Sequence, residues 1–565
     1  MAQAVADHLD SLVNFLSDPL VSSLFASHPN DLGTASFQPP DEWDSWWSWA
    51  GGATHGEEES DGGELWTRLI QYYDFCRSSD TSAGATMEPF QGIPASLRSL
   101  IGTASHLAVK REPGHVIYPP SSDGMSPLHV RQKHRPGDGM HSVSANALRG
   151  MSPKKAHEVV QMSSFIGELL GNCSALSDVD HVVDVGAGQG YLSRALRDQL
   201  GLHVLALDYS DIQTQGAAKR DAAPTKQKRR AGLGGSEESS ASRQASHHAD
   251  TGRSQDESEE VKTQRGSLTY VTAKIDADTL RQSTRAWVES DGTVVDHRPS
   301  ENQTGRSPKP VLFVALHACG SLTPDILRAF AAQRKVDSSR APWTPRAAVV
   351  VGCCYNMLHP EDFPLSHALR SRVALNPNHL QLAAQVPAQW MRSEDTLRDA
   401  RLALRKVVWR ALIQDVLQPP HPNPSSGDPG SGSAEAVGKQ RLGRLNDSAY
   451  ADWATFADRV RTRLGMREGS LVRADRATER RIEVFHTLRC IVGPVIESLI
   501  MLDRAVWLEE ELQASRGYPW EYTMTFTRNQ LQGTGFRVEL VNLFDQASGS
   551  GRNVAIVILP DESRR

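Results

Sequence analysis

The chain has 565 residues, 39% of them hydrophobic, and a formal net charge of −6. That length supports a large core with additions and excludes a small disulfide-dependent fold, while six cysteines without a regular framework point to a reducing, intracellular compartment. The acidic balance gives no general electrostatic case for nucleic-acid binding and leaves only a local basic cleft for such a partner.

The first segment, MAQAVADHLDSLVNFLSDPL, carries Asp7, Asp10 and Asp18 and lacks the basic stretch and apolar run of a secretory signal. No run approaches eighteen uninterrupted apolar residues, so no membrane span is expected. The expectation is a cytoplasmic protein, with the nucleus as the alternative. Residues 1–110 read as an N-terminal helical region, with VADHLDSLVNFLSD and LWTRLIQYYDFCR as its clearest helices and the tryptophans of DEWDSWWSW as packing residues. Residues 111–150, rich in His, Pro, Gly and Ser, read as a flexible linker.

From 151 to 565 the pattern predicts one discontinuous α/β domain. MSPKKAHEVVQMSSFIGELL places Val159, Met162, Ile166 and Leu169 at helical spacing, after Pro153 near the helix start. HVVDVG, HVLALDYS, SLTYVTAKI, VLFVALHACG and AAVVVGCCY then alternate as aliphatic strands with helical pieces, the signature of a parallel sheet covered on both faces. Disordered inserts are expected at 213–266, 283–309 and 419–445, and a helical insertion at 379–516. KQKRR, at 226–230, reads as a solvated charge run inside the first insert. GFRVELVNLF and RNVAIVILP close the chain as two strands.

VDVGAGQGYLS, at 183–193, carries the most specific signal. Gly186, Gly188 and Gly190 lack the side chains that would block a tight turn or a ligand's approach at a helix N-terminus. Asp184 lies on the strand before the turn, and Asp208 ends the next strand, where its carboxylate can accept from ribose hydroxyls. An acid about twenty residues after the glycines also suits a dinucleotide. The acid immediately before them and the DVGAGQG spacing favour S-adenosylmethionine over NAD.

His317 and Cys319 leave one strand, and Cys353, Cys354, Tyr355 and Asn356 leave another that should lie beside it. His317 and Tyr355 are the acceptor-side catalytic candidates, His317 because imidazole titrates near neutral pH. Cys319, Cys354 and Asn356 are candidates for the acceptor pocket. An alternative makes Cys319, Cys353 and Cys354, with His317, soft metal ligands, but HxC plus CC lacks paired zinc spacing and adjacent strand residues face opposite ways. The reading adopted is a site without metal.

These segments together resemble the methyltransferase-like 25 family, whose relatives were once described as ribosomal RNA adenine dimethylase domain-containing proteins. The resemblance rests on MSPKKAHEV at 151–159, VVDVGAGQGYLS at 182–193, LHACGSLTPD at 316–325, CCYNML at 353–358, and FD followed by SGRN within 544–553. It implies a Rossmann-like class I methyltransferase with a C-terminal antiparallel strand pair, using S-adenosylmethionine on an unidentified acceptor: RNA, protein or a small molecule. It also motivates Lys155, His157 and Glu158 at the pocket mouth, and Arg552 and Asn553, beside Asp545 and Ser550, as acceptor-site candidates. The fourth core strand ends in LHACG where amino-directed nucleic-acid methyltransferases carry Asn/Asp-Pro-Pro-aromatic, which argues against adenine dimethylation. The alternative in another class is a noncatalytic interaction protein that keeps the fold, with or without a structural metal centre.

Overall fold

A computed structural model describes residues 2–26, 28–30, 37–43, 65–78, 90–111, 116–118, 150–222, 266–291, 307–337, 341–417, 442–467, 469, 471, 476–514, 535–544 and 550–561. The described strands are β1 (Val116–Tyr118), β2 (His181–Val185), β3 (His203–Asp208), β4 (Leu268–Thr272), β5 (Lys309–Cys319), β6 (Trp343–Cys353), β7 (Phe536–Asn542) and β8 (Val554–Pro560). They form one sheet in the order β1-β7-β8-β6-β5-β2-β3-β4. β2 pairs in parallel with both β3 and β5, and β3 with β4. β7 and β8 supply the C-terminal antiparallel pair, with Leu543 N donating to Asn553 O across the connection, and β1 pairs antiparallel with β7. This is the Rossmann-like methyltransferase order, extended by one short strand.

Strand β2, HVVDV, is buried at every position, with parallel neighbours along both its edges. The preceding helix, Pro153–Asn172, starts where Ser152 Oγ accepts from Lys155 N and Pro153 occupies the first turn, where no N–H is needed. Its buried stripe is the predicted one, Val159, Met162, Ile166 and Leu169, with Glu158 beside it.

The chain divides into two compact units, 131–318 with 325–350 and 558–565, and 1–130 with 319–324 and 351–557. In the second unit the 39-residue helix Arg476–Ala514 is the spine. Helices Ala2–Ser17, Leu65–Ser78, Ala95–Leu107, Pro377–Leu382 and Glu394–Leu412 pack on it. Among the described residues it is the one helix long and apolar enough to cross a membrane, and 89% of its apolar window is buried inside the fold.

Three expectations change. Helix Asp211–Ala222 occupies the first ten residues of the polar stretch expected from 213, and helix Ala277–Asp291 runs into the one expected from 283. In the 111–150 stretch, Val116–Tyr118 forms β1, and Arg111 is buried at 8% exposure. Of the tryptophans in DEWDSWWSW, Trp43 is fully buried and its Nε1 donates to Ser96 Oγ at 2.8 Å, while 44–49 lie outside the described residues. KQKRR and Asp545 also lie outside them.

Candidate active site

The exit of β2 is tied to the exit of β3 by backbone hydrogen bonds. Gly186 N and Ala187 N both donate to Leu207 O, at 2.8 and 2.9 Å, and Gly190 N donates to Ala187 O at 2.9 Å. Gly186, Gly188 and Gly190 adopt φ of 75°, 55° and 65°, the left-handed region where a side chain is strained. At Gly188 a Cβ would meet nothing within 4 Å, so the turn faces open space; at Gly190 it would meet Tyr270 Cε1 at 2.9 Å. Gly190 then caps helix Tyr191–Leu200.

Both predicted acids lie at this turn. Asp208 Oδ2 accepts from Gly188 N and Oδ1 from Ser210 N, each at 2.8 Å. The carboxylate thus fixes the glycine turn while each oxygen keeps a further lone pair for a ligand. Asp184 is 2% exposed and its Oδ2 accepts from Ser193 Oγ at 2.6 Å. Burial pushes its carboxyl up to about 6; the Ser193 hydrogen bond and the Lys155 charge pull the other way, and Asp208 adds to the rise. Just beyond Asp208, Tyr209 and Ile212 are 79% and 83% exposed, an apolar pair that ordinary packing would cover. Sequence reasoning passed over both, although their place after the strand-end acid was visible.

In the same unit, His317 Nε2 lies 3.2 Å from Glu158 Oε2, with the imidazole 34% exposed and the carboxylate 2%. The carboxylate selects the tautomer with hydrogen on Nε2, which leaves the Nδ1 lone pair as the proton acceptor. Lys155 and His157 are half-buried on the first turns of the same helix. Sequence reasoning named both His317 and Glu158 but not their pairing, because 159 residues separate them.

The second constellation belongs to the other unit. Gly320 N donates to Cys353 O at 3.0 Å, and a Cβ at Gly320, whose φ is 52°, would meet Met357 O at 2.4 Å. The glycine of LHACG therefore lets the CCYNM turn close against the end of β5. Cys319 Sγ and Cys353 Sγ are 3.3 Å apart, and with Cys354 Sγ the three sulfurs lie within 4.8 Å of one another. None of the six cysteines is in a disulfide. The hydrogen bond with Cys319 and burial push the Cys353 thiol up; burial and then the Cys319 sulfur push up Cys354. That places neither as a ready nucleophile.

Tyr355 departs from its expected role. It is 1% exposed, its hydroxyl donates to Glu497 Oε1 at 3.1 Å, and Arg504 lies over its ring at 5.6 Å. Burial and the Glu497 charge push its phenol up. A hydroxyl so enclosed positions the turn and is closed to an acceptor. Asn553 changes in the same way: it is fully buried, its Oδ1 accepts from Arg111 Nη1 at 3.1 Å and its Nδ2 donates to Phe544 O at 3.2 Å. Arg552 Nη2 donates to Ala384 O, and Ser550 Oγ donates to Arg552 O, so both serve the turn before β8. Asn356 is exposed.

Comparison with known proteins agrees with this geometry. A family described as "Methyltransferase domain" matches residues 154–361. "Probable methyltransferase-like protein 25" of Homo sapiens is 22% identical over 480 residues, which cover 68% of this chain and 73% of that protein. The Mus musculus protein of the same name is 22% identical over 512 residues, 74% of this chain and 79% of its own. No solved structure matches the chain. The glycine turn, both acids and the LHACG and CCYNM turns lie within the residues that the methyltransferase domain matches, so the chain carries a methyltransferase domain and is similar to the methyltransferase-like 25 proteins.

Proposed function

We propose that the protein transfers a methyl group from S-adenosylmethionine, and that the observation carrying this reading is the glycine turn held on Asp208 above a desolvated Asp184. The residues fit that cofactor. A buried carboxyl pushed up to about 6 is a site that gains from a cation, which suits the ammonium of the methionyl portion. Asp208 keeps lone pairs suited to ribose hydroxyls, and exposed Tyr209 and Ile212 offer apolar surface to the adenine. Gly186, Gly188 and Gly190 leave the approach open.

When bound, the sulfonium supplies an already activated methyl group, so no protein nucleophile is needed. The chain's contribution is alignment and a proton acceptor. His317 would receive the acceptor's proton at Nδ1, with Glu158 holding the ring and balancing the imidazolium that results. The missing Pro-Pro-aromatic loop and the net charge of −6 support an acceptor other than a nucleobase amine, a protein or small-molecule group.

The test is calorimetric titration of the full chain with S-adenosylmethionine and S-adenosylhomocysteine, alongside Gly188→Val. Valine at φ 55° strains the turn and sets its methyls in the open face, so affinity should fall at least about tenfold while the far-ultraviolet dichroism is unchanged. A well-folded wild type that binds neither compound sinks the reading in favour of a noncatalytic protein.

A further inference from the structure

The three sulfurs at the ends of β5 and β6 converge for a reason the methyltransferase reading does not supply. Successive side chains of a strand point to opposite faces, so Cys353 and Cys354 should diverge. They do not, because Cys354 adopts φ 49° and ψ 50°. Among the described non-glycine residues only Ser371 shares that sign of φ. A left-handed conformation in a residue with a Cβ persists only where its surroundings hold it. Here Gly320 N on Cys353 O, and the backbone of Met357 pressed against Gly320, fix both ends of the turn. The strained residue and the glycine that admits it bring the Cys354 sulfur to the two others.

We propose that Cys319, Cys353 and Cys354 form a thiolate site for one zinc ion, with the fourth position taken by water or an exogenous donor. Zinc–sulfur bonds of about 2.3 Å in a tetrahedron put sulfurs about 3.8 Å apart. Three sulfurs already within 4.8 Å, the closest pair at 3.3 Å, reach that arrangement by side-chain rotation alone. Zinc binding releases the three thiol protons and leaves a centre of net charge −1. The surrounding charge suits this: Arg552 acts on Cys354 and Arg504 on Cys353. Arg504 is 1% exposed, and its positive charge, which also faces Asp503 and Asp362, lies near enough to act on the Cys353 sulfur. A disulfide between Cys319 and Cys353 would leave the strained Cys354 without purpose. The proposal does not depend on methyl transfer, since a thiolate site can serve the turn in an active or an inactive protein.

The experiment uses the full chain purified anaerobically with reductant and without chelating resin, equilibrated with Zn²⁺, freed of excess metal and measured by inductively coupled plasma mass spectrometry. About one zinc per chain is expected. C319S and C354S should each lower zinc affinity at least about tenfold, whereas C76S, on helix Leu65–Ser78, should leave it unchanged. Titration of the wild type with Co²⁺ keeps the proposal open to refutation even if the serine variants fail to fold: thiolate ligation gives a sulfur-to-cobalt charge-transfer band in the near ultraviolet. Absence of that band in folded, reduced wild type overturns the proposal. So does zinc content no higher than in the C319S/C354S chain, or recovery of a Cys319–Cys353 disulfide from the anaerobic preparation.

Discussion

Asp184 is the residue whose environment is furthest from that of an ordinary carboxylate at this site. Its folded pKa of about 6 lies above the unfolded value near 3.8, so the native state holds the proton more tightly. The stability this gives is fully present below the unfolded value and is lost as pH rises through about 6. At pH 7.5 the ionised, buried group therefore weighs against folding. Asp184→Asn keeps an acceptor for Ser193 Oγ and removes the charge, so it should stabilise the ligand-free chain at pH 7.5 by about 3 kcal/mol at most, with the gain gone near pH 4. Urea denaturation at the two pH values reads this directly; equal gains at both would show that ionisation is not the cause. On the proposed reading, the same carboxylate should make affinity for S-adenosylmethionine pH-dependent. Binding of S-adenosylmethionine should weaken as pH falls below 6, towards tenfold per pH unit, and Asp184→Asn should bind poorly with a flat profile in calorimetry. A wild-type affinity constant between pH 5 and 7.5 would remove Asp184 from ammonium recognition.

At the scale of elements, the buried pair Arg111–Glu497 joins the segment before β1 to the long helix, with Nη2 and Oε2 2.5 Å apart and both side chains 4% exposed. Glu497 also accepts from Tyr355, and Arg111 from its other arm donates to Asn553, so four elements share one polar cluster. Arg111→Ala leaves Glu497 buried without its cation and should cost about 3–5 kcal/mol in chemical denaturation. Tyr355→Phe deletes one hydrogen bond and should cost about 1 kcal/mol. If Tyr355→Phe instead spares stability but abolishes methyl transfer, the phenol reaches the acceptor after all. The strands and the glycine turn were legible because each is written in contiguous residues: an aliphatic run, then glycines at alternate positions. Glu158 with His317, Arg111 with Glu497, and Tyr355 with Glu497 were not, being 159, 386 and 142 residues apart. Tyr355 looked like a pocket residue because it follows a strand end; its enclosure depends on a helix more than a hundred residues later. Helix Asp211–Ala222 read as insertion because DIQTQGAAKRDA buries only Thr214 and Ala217. The Cys354 conformation had no sequence signal, since left-handed φ is usually announced by Gly or Asn.

For the whole molecule, helix Arg476–Ala514 poses the largest question of burial, because its length and apolarity alone would permit a membrane span. Its polar residues answer it. Asp503 accepts from Leu365 N, Ser366 N and Ser366 Oγ at 2.6–2.9 Å, and Glu510 accepts from His367 N at 2.9 Å, so its carboxylates organise loop backbone within the same unit. The N-terminal helices Ala2–Ser17, Leu65–Ser78 and Ala95–Leu107 pack on it, and their Leu69, Tyr73, Leu97 and Ile101 are fully buried. Those helices are therefore part of the core of the unit that holds the CCYNM turn. Deleting them strips an apolar helix face, and a face of that size left in water drives association. The truncated chain should aggregate or lose cooperative unfolding, measured by size-exclusion chromatography and thermal denaturation beside the full chain. A truncated chain that elutes as a monomer and melts cooperatively at the parent temperature would show instead that the long helix is covered without them, and that the N-terminal helices serve a purpose outside the core.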